Sequence, residues 1–142
     1  MNIQRPGLML LLAAALCGPC LAVSENPFES ELARLAGRSA RQCGIFPLGH
    51  EAQAGWQCAL AAEHAGQPYW FAFLGPGDDS MIGIAAIRTP EGAHILLDYD
   101  SDPFGSNGRN PRFTSTTCPF EIVYRGAGMP PLECMRAVTR KQ

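Results

Sequence analysis

Apolar positions along this chain change their spacing near its middle. From residue 26 to 66 they recur at helical intervals, and from residue 68 onward they cluster or alternate as strands require. Asn26-Pro27-Phe28-Glu29 opens the first helix: Asn supplies a cap oxygen, Pro suits the first helical position, and Glu29 is placed to reach back. Phe28, Leu32, Leu35 and Ala36 then form one buried stripe, and Gly37 ends it. A second helix is expected over residues 50–65, rich in Ala, Gln, Glu and Leu around Trp56 and closed by Gly66 and Pro68.

Residues 69–74, Tyr-Trp-Phe-Ala-Phe-Leu, are apolar on both faces, which suits a strand covered on both sides. The next two strands are expected at 81–88 and 93–100, joined by Thr89-Pro90-Glu91-Gly92. With Thr89 and Gly92 flanking the turn, Ala86 opposes Ile95, Ile84 opposes Leu97 and Ile82 opposes Tyr99, which gathers six apolar side chains on one face. Residues 101–117 show no periodicity and read as a long loop, a length that is often functional. Phe120, Ile122 and Tyr124 alternate with Glu121 and Arg125 as a fourth strand. Residues 131–139 read either as a short helix begun by Pro131 or as an irregular strand, with a bulged strand favoured. A regular hairpin across 126–128 puts Cys134 opposite Ile122 and leaves Cys118 about 13 Å away along the strand, beyond disulfide reach. The expected fold class is α+β, with two N-terminal helices packed on a mainly antiparallel sheet of four to five strands.

The N-terminus adds a compartment. MNIQRPG, LMLLLAAAL and CGPCLA read as a signal peptide over residues 1–22 cleaved near Ala22, because the apolar run is about half a membrane span. Cys17-Gly18-Pro19-Cys20 has the spelling of a redox dithiol but lies in this segment, without the preceding strand and following helix such a site needs. Residues 23–142 are then one globular domain, exported to the periplasm or beyond, with no membrane span of its own. Cys43, Cys58, Cys118 and Cys134 remain, and an even number in an oxidising compartment implies two disulfides with three connectivities. The local pairs Cys43–Cys58 and Cys118–Cys134 are favoured, each worth roughly 3 kcal/mol in the chain-entropy picture. The gaps do not suit zinc, whose ligands come in close pairs.

Charge narrows the chemistry further. Without Arg5 the chain keeps 10 Lys and Arg against 13 Asp and Glu, near −3, which argues against a nucleic-acid partner. Between residues 78 and 102 stand six acids and one base, Arg88. The expected hairpin register brings Asp79, Asp98, Asp100 and Asp102 together at its open end, on the face opposite Ile84, Leu97 and Tyr99. One reading is an acidic patch, solvated or paired with Arg109 or Arg112, and suited to a basic partner. A second is a non-standard calcium site: the alternate Asp residues match half of a calcium loop, but Pro103 and Arg109 stand where Gly and Glu belong. A third is a hydrolase carboxylate pair, which needs an apolar pocket to raise one pKa. His94, two same-face positions from Asp98, reads as a half-buried strand residue. Trp56, Tyr69, Trp70 and Phe71 read as core. No catalytic residue and no cofactor is assigned. The expected function is an exported, disulfide-stabilised, non-enzymatic binding, inhibitor-type or accessory domain acting on a protein partner in the envelope or outside the cell. The alternatives are a small envelope hydrolase using the aspartates and a calcium-binding domain.

Overall fold

Asn26 starts the first helix as its chemistry demands, its Oδ1 accepting a hydrogen bond from Phe28 N at 3.1 Å. The computed structural model describes residues 26–105 and 110–136, so the expected signal peptide over residues 1–22, its cleavage site and Arg109 lie outside the described residues. Helix α1 covers Pro27–Ala36 and buries Phe28, Leu32 and Ala36. Next come β1 (Arg41–Pro47), α2 (Gln53–His64), β2 (Tyr69–Pro76), β3 (Met81–Arg88) and β4 (His94–Asp100). β5 (Arg112–Cys118), β6 (Ile122–Tyr124) and β7 (Leu132–Cys134) follow.

Five strands form one sheet in the order β1-β2-β3-β4-β5, and β6 and β7 form a separate hairpin. The α+β class holds, and the sheet is mixed, with β1 parallel to β2 and the other neighbours antiparallel. A parallel pair needs a crossover, and α2 supplies it. Among the described residues only α1 therefore precedes the sheet; the expectation of two N-terminal helices fails because α2 lies between β1 and β2. The expected long loop also shrinks, since residues 112–118 are strand β5.

The sheet is covered on both faces. Against one face α1 packs Phe28 and Leu32 onto Trp70, Ala72, Ala85, Ile87, Leu97 and Tyr99. Against the other, α2 and the β6–β7 hairpin enclose Phe71, Phe73, Ile84, Ala86, Ile122 and Leu132. Helix α2 sits close because residue 55 is Gly: a Cβ there would fall 2.7 Å from the Phe71 ring. Tyr69, Trp70 and Phe71 are buried in these two cores, and Trp56 packs against one of them.

The β3–β4 hairpin differs from expectation by one residue. Ile84 stands opposite Asp98 and Ala85 opposite Leu97. The cause is the turn, a three-residue loop in which Gly92 takes φ +86° and Thr89 N donates to Ala93 O at 2.9 Å. Both registers looked apolar because both faces of the sheet are buried. The slip puts Asp98 and Asp100 on the α2 face together with Ile84, and opposite Leu97 and Tyr99.

Both expected disulfides are present, with Cα–Cα separations of 5.5 Å for Cys43–Cys58 and 5.3 Å for Cys118–Cys134. Cys134 does oppose Ile122. Cys118 still reaches it because Cys118 ends β5 in the large sheet and residues 119–121 turn the chain back over that sheet's face.

Candidate functional site

Rows of opposed residues cross the α2 face, and their character changes along them. One row runs Phe73, Ile84, Asp98, Thr114, and the next runs Gly75, Ile82, Asp100, Arg112. Each is apolar at β2 and β3 and polar at β4 and β5. Over these rows lies a cleft of about 290 Å³, floored by Ile82 and Ile84 and edged by Asp98, Asp100, Arg112 and Thr114. Its walls come from far along the chain: Leu48 between β1 and α2, and Met129, Pro130 and Pro131 between β6 and β7. Met129 is 68% exposed at the rim, whereas Pro131 is buried.

A hydrogen-bond clamp holds the two walls together. Tyr124 Oη accepts from Ala52 N at 2.8 Å, just where α2 begins without a side-chain cap of its own, and donates to Glu51 Oε2 at 2.9 Å. Glu51 Oε1 in turn accepts from Ala127 N at 3.2 Å, and Arg125 N donates to Pro131 O at 2.7 Å. The turn carrying Met129 and Pro130 is thereby tied to the start of α2.

The four aspartates divide rather than converge. Asp98 borders only the cleft; Asp79 and Asp102 border only a second hollow of about 690 Å³ at the hairpin end; Asp100 borders both. Asp100 is engaged, accepting from Ser80 Oγ at 2.7 Å and from Asp102 N at 3.0 Å. Among the described residues no group of three or more His, Cys, Asp or Glu is placed to hold a metal ion.

Asp98 is different. Although it stays in contact with solvent, burial against the apolar cleft raises its carboxyl above the ordinary carboxylate pKa. Its proton is thus held more tightly in the folded chain than in the unfolded one. Between the ordinary and the raised pKa the folded state binds more protons, so stability falls as pH climbs through that window. Asp98→Asn is expected to remove this slope and to stabilise at pH 7 by up to about 0.5 kcal/mol, the scale of surface changes. Urea unfolding of both proteins from pH 4 to 8 checks it. A variant that keeps the slope contradicts the assignment.

At the other end of the same face Glu63 of α2 bridges two strands. Its Oε1 accepts from Arg88 Nε at 3.2 Å, and its Oε2 lies 2.9 Å from His94 Nε2. Arg88 Nη1 also donates to Gly66 O at 2.9 Å, and the Tyr69 hydroxyl beneath has its pKa pushed up, by burial first and then by Glu63. The partner of His94 is therefore Glu63, 31 residues away, and not Asp98. Strand periodicity carries no signal for such a contact. Two half-buried bases share one half-buried carboxylate, which fixes the C-terminal end of α2 to β3 and β4.

Neither known protein families, nor curated proteins, nor solved structures give a match to this chain. The fold and the site together define a disulfide-bonded α+β domain with an open cleft on one sheet face.

Proposed function

We propose that the protein is an exported, non-enzymatic binding domain whose cleft takes a basic, partly apolar segment of a protein partner. The observation that carries this reading is Asp98, a carboxylate with no hydrogen-bond donor or base on it among the described residues, set at the edge of an apolar floor. Leaving a charge there costs free energy, and an incoming cation offsets that cost. A lysine or arginine fits this edge of the cleft, since its charged head meets Asp98 while its apolar stem lies against the uncharged side chains beside it. At about 290 Å³ the space falls at the lower end of small-ligand pockets and suits one or two side chains of a larger partner. Two disulfides fit an oxidising compartment, and no helix among the described residues is long and apolar enough to cross a membrane.

The test is capture from envelope extracts by the wild-type domain and by Asp98→Lys and Met129→Glu variants of equal melting temperature, followed by affinity measurement on the purified captured protein. The expected result is one partner whose affinity drops at least about tenfold in either variant and weakens with salt. Equal retention by all three proteins contradicts the reading.

One observation favours a second reading. A carboxyl with raised pKa two residues from another on the same strand face has the ingredients of a hydrolase pair, Asp98 as acid and Asp100 as base. Asp100 is already occupied by Ser80 and Asp102, which weakens it as a base. That reading requires turnover of polysaccharide or ester substrates that Asp98→Asn abolishes.

A further inference from the structure

The two edges of the sheet are built differently. At β1 the register breaks between Gln42 and Ile45, Gly44 takes φ +102° and Pro47 ends the strand, devices that blunt an edge against pairing. At β5 the ladder to β4 runs unbroken from Arg112 to Cys118, and the residues between these two are Phe, Thr and Ser with no charge and no proline. Among the described residues no strand lies beyond β5, and its outer N–H and C=O groups have no backbone partner there. Thr114, Ser115, Thr116 and Thr117 are all exposed. Pro111 and Pro119 bracket this stretch and set its length.

The open edge borders the cleft. Asp98 stands opposite Thr114, and a residue opposite Thr114 on an added strand would share that row and face. Its Cα would lie two strand spacings, about 10 Å, from that of Asp98. The four-carbon stem of lysine, or the arginine stem, together with the aspartate side chain bridges that gap across the small Thr114. Lysine and arginine are the residues that carry a lasting positive charge across that distance.

Resting on the binding reading above, we infer that the partner segment docks as an extended strand on the β5 edge and delivers a lysine or arginine, opposite Thr114, to Asp98. Main-chain bonds to β5 hold the segment, and the row through Thr114 selects its charge. A second copy of this chain fits less well. Two β5 strands paired antiparallel about Ser115 would place Thr116 opposite Thr114 and bring no cation to Asp98; pairing about Phe113 would bring Arg112 opposite Thr114, but it overlaps the strands only over residues 112–114 before Pro111 stands opposite Ser115.

The probe is the peptide acetyl-Thr-Val-Thr-Lys-Thr-Val-Thr-amide, with a second peptide carrying Glu in place of Lys, titrated into the full domain while backbone amide resonances are followed. The expected result is movement of the β5 amides, binding of the Lys peptide at least about tenfold tighter than the Glu peptide, and loss of that difference in Asp98→Asn. Successive N–H groups of an edge strand alternate between its neighbour and solvent, so one of Ser115→Pro and Thr116→Pro spares the ladder to β4. The variant that keeps the wild-type melting temperature is expected to lose both peptides. The inference is overturned if the Lys peptide does not bind, if the two peptides bind alike, or if that proline variant still binds. Concentration-dependent movement of the β5 amides without peptide overturns it in favour of a second copy. If the peptide result fails while partner capture still depends on Asp98, docking on the β5 edge is wrong and the binding reading stands.

Discussion

Phe71→Ala is expected to lower the unfolding free energy by about 3 to 5 kcal/mol, a large share of the roughly 5 to 15 kcal/mol that holds a domain of this size. Phe71 is fully buried at the centre of the α2-side core. Its ring centroid lies 5.6 Å from Phe46, 6.0 Å from Trp56, 5.1 Å from Phe73 and 5.7 Å from Tyr124. Those partners come from β1, α2, β2 and β6, and Cys43–Cys58 and Cys118–Cys134 tether the same layers, so the vacated space cannot collapse without moving several of them. Urea unfolding under oxidising conditions checks it: the midpoint should fall with the slope unchanged. A loss below 1 kcal/mol would mean that this layer is not the packed core described.

The second large effect belongs to Cys118–Cys134. Replacing both cysteines with serine removes a link across 16 residues, worth about 3 kcal/mol. The loss should be local. Strands β6 and β7 have three residues each and, among the described residues, pair only with each other, and a hairpin that short is marginal unless held to a larger body. Hydrogen exchange should therefore show Ile122, Val123 and Tyr124 opening well before β2, β3 and β4. The cleft loses its Met129–Pro131 wall in the same event, so stability of the hairpin and binding should fall together. Unchanged protection in β6 would show that packing, and not the disulfide, anchors it.

Much of the fold was legible in short-range chemistry. Asn26, Pro27 and Gly37 mark α1 to the residue, because caps act within one turn. The unbroken apolar run at 69–74 reports a strand buried on both faces, and the cysteine spacing reports both bridges. Strand β5 escaped because Arg-Phe-Thr-Ser-Thr-Thr-Cys faces solvent along most of both faces and so lacks alternation; its β-branched threonines were the only trace. Strand β1 escaped because the bulge at Gly44 breaks its period. The hairpin register turned on one glycine: Gly92 belongs inside the turn, and moving it outside shifts β4 by one residue against β3.

The site was half legible. The aspartates stood out as charge, but their division between two hollows depends on Leu48 and Met129–Pro131, which are 81 to 83 positions apart and are held together by Tyr124, Glu51, the Cys118–Cys134 bridge and the shared α2-side core. No local pattern encodes that meeting. The apolar surroundings that raise the Asp98 carboxyl are a product of it.

The most direct measurement places a photo-crosslinking amino acid at Thr114, beside the cleft, and separately at exposed Ala61 on α2. Both variants are irradiated in the cells that make the protein. A defined adduct at position 114 that Asp98→Lys removes, with none at 61, is the expected result. Adducts at 61 with none at 114 would contradict the assignment of the cleft as the binding surface.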